Sequence, residues 1–192
     1  MKKLIAISLT VALAMCMTAC GCQNQTTDPT TVPTTNTTAT TAPTAEPLTG
    51  TMEQNVQKLM QANPAEFMGG MMPLDLTDTT EEGLWAVKSY TGLDSAEAIT
   101  DAAAYEPMTG SQAFSLVMVR VAEGVAPKEL ARQMKDNINP RKWICAMADQ
   151  IMVAGYGDTV MFIMLDSNLG KTAQSYVDAF RDLCGGKLDF VI

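Results

Sequence analysis

The chain has 192 residues, no histidine and a formal charge of −8. The missing histidine removes the commonest general base and the commonest metal ligand, which excludes Ser-His-Asp and Cys-His catalysis and any His-containing zinc site. The acidic balance repels nucleic acid and anionic headgroups, so nucleic acid is not an expected partner.

Met1-Lys2-Lys3 is a short basic start, followed by an apolar run from Leu4 to Met17. That run has the length of an export-signal core and falls short of the roughly 20 apolar residues of a membrane span. Met17-Thr18-Ala19-Cys20 comes next. Small residues ahead of a cysteine at this place resemble the bacterial lipobox, with Met17 where leucine is usual. The resemblance implies cleavage between Ala19 and Cys20 and a diacylglycerol on the Cys20 thiol. Residues 1–19 are then a lipoprotein signal peptide, and losing Lys2 and Lys3 takes the formal charge from −8 to −10. Two acyl chains on one residue anchor stably where one is marginal. The expected partner at this end is the membrane, and the expected location is extracytoplasmic.

Gln23 to Gly50 is rich in Thr, with Pro and Ala interspersed. It has too few large apolar side chains to offset the entropy of ordering. Residues 20–50 therefore read as a lipidated cysteine plus a disordered Thr/Pro-rich tether, and 51–192 as a single globular domain of ordinary size.

Met52, Val56, Leu59 and Met60 recur at helical spacing, and Asn63-Pro64 stops that helix. Gly69-Gly70 reads as a flexible break between Phe67 and Met72. Thr79 and Glu82 have capping-box spacing ahead of Leu84, Trp85 and Val87, which predicts a second helix ending at Thr91-Gly92. Asp94 and Glu97 repeat the spacing over a short helical turn, and a strand is expected from about Ala103 to the Pro107 and Thr109-Gly110 turn. Ala113 to Val121 is apolar on both faces, which predicts a central strand. Pro127 opens a helix with the stripe Leu130, Met134 and Ile138, ended by Asn139-Pro140. Gln150–Ala154 and Thr159–Leu165 are two more strands joined through Gly155-Tyr156-Gly157-Asp158. Ser167 or Asn168 is expected to cap a last helix with the stripe Leu169, Ala173, Tyr176, Val177 and Phe180, stopped by Gly185-Gly186 before a short strand over Leu188–Ile192. The order helix-helix-ββα-ββα-β predicts an α+β fold: a mostly antiparallel sheet with two helices on one face. The two N-terminal helices are available to cover the other face, which otherwise is a partner site.

Asn139-Pro140-Arg141-Lys142-Trp143-Ile144-Cys145, then Ala148-Asp149 and the Gly155-Tyr156-Gly157-Asp158 turn, are the residues that carry a family resemblance. From about Thr51 onward the chain resembles a family of Gram-positive lipoproteins catalogued as a domain of unknown function (DUF 4358 type). The resemblance implies a Gram-positive cell membrane, a low-complexity spacer and this ββα order. It implies no activity, no catalytic residue and no cofactor.

Cys145 begins a predicted strand and Cys184 ends the last helix. The export route permits a disulfide between them if those ends adjoin; the other reading is two free, buried thiols. Arg141, Lys142 and Trp143 form a basic and aromatic cluster suited to an anionic glycan or headgroup. Against that stands a structural role, with the cations beside a helix C-terminus and the indole in the core. Met68, Met71 and Met72 are the methionines expected to be exposed. The acidic residues Asp75, Asp78, Glu81, Glu82, Asp94, Glu97, Asp101 and Glu106 fail the EF-hand pattern and read as helix caps and a solvated face, so no metal site is expected. Three functions follow from these residues. The first is a non-enzymatic module that binds another envelope protein through an apolar sheet face or the Met68–Met72 segment. The second is a small-solute receptor, and the third is a His-independent envelope hydrolase using Ser with Lys or carboxylates alone; Ser111, Ser115 and Lys88 show no linking spacing, and nothing singles out a carboxylate pair.

Overall fold

Residues 48–192 are described in the computed structural model. The signal peptide, the lipidation of Cys20 and residues 20–47 of the tether expected over 20–50 lie outside the described residues; residues 48–50 are described, with the Leu48 and Gly50 carbonyls bonded by Arg120. Among the described residues no helix is long and apolar enough to cross a membrane.

The elements in chain order are α1 (Met52–Ala62), β1 (Gly69–Pro73), α2 (Glu81–Thr91), β2 (Ile99–Pro107), β3 (Phe114–Val121), α3 (Pro127–Asn137), β4 (Gln150–Tyr156), β5 (Thr159–Leu165), α4 (Ala173–Leu183) and β6 (Phe190–Val191). The six strands form one sheet in the order β1-β2-β3-β5-β4-β6, with every neighbouring pair antiparallel. The fold is α+β, with helices packed on the sheet.

Side-chain alternation along the central strands sends apolar residues to both faces. Val117, Val119, Val160, Phe162 and Val153 meet Val87 of α2 and Leu130, Ala131 and Met134 of α3. Leu116, Met118, Met161, Ile163 and Ala154 meet Met52, Val56 and Leu59 of α1 and Tyr176, Val177 and Phe180 of α4. Helices α3 and α4 thus lie on opposite faces rather than sharing one, because each face of β3 and β5 needs its own cover. The N-terminal helices are divided likewise, and neither face of the central strands is left open.

Several local expectations are corrected. The Gly69-Gly70 segment is an edge strand, paired Gly69↔Pro107 through Pro73↔Ala103. A Cβ on Gly69 would strike the Tyr105 ring, so glycine here permits a close ring approach rather than a break. The α2 cap is Thr80, whose hydroxyl accepts from the Gly83 amide, one residue later than the Thr79 reading. Residues 94–97 form bends and turns, and β2 begins at Ile99. The segment Ser167–Leu169 is a 3₁₀ turn, and Thr172 caps α4 through the Ser175 amide, so Leu169 lies outside that helix. The final strand is only Phe190–Val191. Gly185 and Gly186 do have positive φ, 70° and 85°, as the helix stop requires.

The point where the chain enters the domain is held by the sheet. Arg120 near the end of β3 donates to the Leu48 carbonyl at 2.9 Å, to the Gly50 carbonyl at 2.8 Å and to Asp158 Oδ2 at 2.8 Å. Next to it, Asp101 Oδ2 on β2 accepts from the Met52 amide at 2.8 Å, satisfying a first-turn donor of α1. Thr51 and Gln54 complete a capping box. Replacing Arg120 by Met removes three charge-assisted contacts at a half-buried site and is expected to cost about 2 kcal/mol or more, since such bonds contribute ~1.5–3 kcal/mol each. Urea unfolding checks the loss, and faster amide exchange confined to the start of α1 checks its place.

Candidate functional site

Helix α3 is capped by Ile138, whose amide donates to the Met134 carbonyl and whose side chain is buried. The Asn139 side chain then accepts from the Arg141 amide at 2.9 Å, and the Pro140 carbonyl accepts from the Ala148 amide at 2.9 Å. These bonds close residues 140–148 into a loop and turn consecutive side chains in different directions. Arg141 points to the surface, Lys142 points inward, and Trp143 packs half-buried against the α2–α3 side of the core.

Lys142 is the best-defined part of this segment. Its ammonium is ion-paired with Glu106 of β2 and donates to the Ser89 carbonyl at 3.0 Å and toward Ser115 Oγ at 3.4 Å. Three partners match the three donors of an ammonium. It also lies 4.7 Å from the centre of the Tyr90 ring and 5.4 Å from that of the Trp143 ring. The side chains of Lys142 and Glu106 are only 11% and 14% exposed. Burial pushes the Lys142 pKa below the ordinary lysine value, and Glu106 opposes that shift. Burial, with Glu106 second, pushes the Tyr90 hydroxyl up. Ser89 belongs to the last turn of α2, so Lys142 does serve a helix C-terminus, but that of α2 rather than of α3, which precedes it.

Ser115 stands beside Lys142, whereas neither Ser111 nor Lys88 joins it. Ser115 is fully buried, and the Lys142 ammonium is spent on Glu106 and Ser89. A nucleophile needs both an approach path and a base with a free lone pair. This pair has neither, and its geometry makes it an anchor that ties the 140–148 loop to β2 and α2.

Outside the anchor lies a cleft of about 370 Å³. Trp85, Lys88 and Ser89 of α2 form one wall, and Asn137, Asn139 and Arg141 form the other. Trp85 is 67% exposed, and with Leu84 it turns away from the core, leaving Val87 as the buried member of that apolar trio. Lys88 pairs with Asp94 at 2.7 Å, but both are largely in water. Among the described residues the Arg141 guanidinium has no side-chain partner. The cleft therefore carries one unneutralised cation, an accessible indole and two amides.

The other sequence-predicted residues fall elsewhere. Cys145 is exposed on the loop, and Cys184 is buried among α1 and α4 residues on the opposite face of the sheet. Both thiols are free. The sheet separates them, so the disulfide reading is corrected. Met68, Met71 and Met72 do not act as one exposed set: Met71 packs half-buried against the α1–α4 core, while Met68 and Met72 are exposed. Several of the acidic residues have structural duties, Asp75 toward Thr77, Asp78 toward Thr80, Asp101 toward Met52 and Glu106 toward Lys142. Among the described residues no cluster of carboxylates and thiols could hold a metal ion. Comparison with protein-family models, with curated proteins and with solved structures finds no match.

Two predictions follow from the anchor and the thiols. Lys142→Met leaves Glu106 buried without its partner and is expected to cost about 3 kcal/mol or more, whereas adding Glu106→Leu should recover much of that loss. A double-mutant cycle in urea reads both. Burial pushes the Cys184 thiol from 9.0 up to about 12. The fold therefore keeps that proton where the unfolded chain releases it, so the stability contributed by Cys184 is complete below pH 9 and declines as pH rises toward 12. In native protein at pH 8.5, iodoacetamide followed by peptide mass spectrometry is expected to label Cys145 and spare Cys184.

Proposed function

We propose that this protein is an extracytoplasmic lipoprotein, anchored through diacylglycerol on Cys20, whose domain is a non-enzymatic binding module. Its ligand is an anionic saccharide seated in the cleft between Trp85 and Arg141. The observation that carries this reading is an exposed indole beside a guanidinium with no side-chain partner among the described residues. A flat indole supplies apolar area for the face of a sugar ring. A guanidinium makes paired hydrogen bonds to a carboxylate or phosphate. The amides of Asn137 and Asn139 supply the donors and acceptors that hydroxyl groups need. A volume of about 370 Å³ lies at the small end of ligand sites, enough for one or two sugar rings. The cation also stands out on a protein of formal charge −8, where an anion finds few other places to bind.

The hydrolase reading has less support, because Ser115 lacks access and the cleft holds no paired carboxylates. The solute-receptor reading shares this cleft and differs only in whether the saccharide is free or part of a polymer.

Binding is tested on the full chain in detergent, by indole fluorescence during titration with carboxylated and neutral oligosaccharides of equal length. The carboxylated series is expected to bind more tightly, and Arg141→Ala to weaken it about tenfold, the loss of one charged hydrogen bond. Equal affinity for the neutral series, or no effect of Arg141→Ala, overturns the reading. The anchor is tested by intact-mass spectrometry of the membrane fraction. A mature N-terminus at Cys20 with added acyl mass is expected, and Cys20→Ser should release the protein from the membrane.

A further inference from the structure

Strand β1 is one end of the sheet, and among the described residues no further strand pairs with its outer side. The Leu74 amide donates to Ala102 and the Met108 amide to Met68, so residues 68 and 74 exchange bonds with the β2 side. The two-residue period of an antiparallel ladder then assigns Gly70 and Met72 to β2 and turns the N–H and C=O of Gly69 and Met71, with the C=O of Pro73, outward. Among the described residues nothing hydrogen-bonds to Gly69 or Met71 on that side. An unpaired edge of this kind is a template for another strand.

The edge does not stand alone. Beside it runs a groove of about 270 Å³ between β1 and α2. Its apolar lining is Met72, Leu74, Ala86 and Tyr90, and its rim carries the carboxylates of Asp75, Asp78 and Glu82. Gly70 lies on the same strand face as Met72, and a Cβ there would meet only the Met72 methyl, at 3.9 Å. Gly70 has no positive φ, so no backbone strain accounts for a glycine. Its bare position leaves the strand face beside Met72 without a side chain, so a second chain can approach the edge closely.

We propose that this edge and groove take an extended basic segment of another protein as an added strand. Main-chain bonds to Gly69 and Met71 set its direction, and alternate side chains drop toward Met72 and Leu74. The acidic rim selects Lys or Arg at the flanking positions and rejects acidic strands. The site is separate from the Trp85–Arg141 cleft and stands independently of the saccharide reading.

The test uses full chain in detergent and three synthetic ten-residue peptides: one alternating Val with Lys, one alternating Val with Glu, and the Lys peptide with proline at every other position. The Val-Lys peptide is expected to bind, to protect the Gly69 and Met71 amides from exchange, and to lose affinity about tenfold or more as salt is raised, as an electrostatic contact requires. Asp75→Asn with Asp78→Asn should weaken it severalfold while the side-chain oxygens that accept from Thr77 and Thr80 remain. Gly70→Leu, which puts a bulky side chain beside Met72 on the same face of the edge strand, should abolish it. Binding of the Val-Glu peptide as tightly as of Val-Lys overturns the proposal, and so does binding of the proline peptide or binding without protection of Gly69 and Met71. Concentration-dependent protection of those amides without any peptide also overturns it, by assigning the edge to a second copy of this chain.

Discussion

Strands β3 and β5 run side by side through the middle of the sheet, and every residue of β5 and all but Arg120 of β3 are buried. Because a strand sends successive side chains to opposite faces, such a pair is stable only when both faces are covered. The placement of all four helices follows from this. Helices α1 and α4 close one side around Phe114, Tyr176 and Phe180, and α2 and α3 close the other around Val119, Phe162 and Met134. Burial of apolar area on both faces supplies the main stabilisation of the domain, at roughly 25 cal/mol per Å² removed from water.

Polar groups are admitted to this core under strict conditions. Lys142 crosses from the surface loop to the sheet because Glu106, the Ser89 carbonyl and Ser115 meet its ammonium, with two aromatic rings beside it. An unpaired charge there would cost several kcal/mol. The pair fixes the 140–148 loop against α2, and in doing so it sets the distance between Trp85 and Arg141. Arg120 plays the corresponding part at the opposite end of β3, where the chain enters the domain. Both cations act by converging on groups that are far apart in sequence. Removing either is therefore expected to loosen a segment rather than a single contact.

The two candidate binding surfaces lie where cover by helices stops. The cleft opens between the exposed side of α2 and the loop after α3, and the groove opens between the inner edge of α2 and the last strand of the sheet. Helix α2 borders both with opposite chemistry: Trp85 and Lys88 face the cleft with Arg141, and Glu82 faces the groove with Asp75 and Asp78. One short helix thus separates a site suited to anions from one suited to cations.

Periodicity alone determined the elements with strong patterns. The i, i+4, i+8 stripe of Leu130, Met134 and Ile138, the Met52–Met60 helix and the two-faced strand ending at Val121 were legible because burial writes a period into each segment. The α+β class followed from their order. What escaped was set by contacts between distant residues. Gly69-Gly70 reads as a break until Tyr105 is known to lie over it. Neither the Glu106–Lys142 pair nor the exposure of Trp85 leaves a local mark, since nothing near position 142 points to position 106. Residues 141–143 were a visible cluster, but their division into a surface guanidinium, a buried ammonium and a half-buried indole was decided by the loop that Asn139 and Pro140 close. The sequence by itself determined the strongly periodic helices and the central strands, with the sides they bury, because burial writes a period into them; it did not show the edge strand β1 or the outward turn of Leu84 and Trp85. The tertiary structure alone decided which polar groups meet, because their partners are far apart in the sequence and are brought together only by the packed sheet.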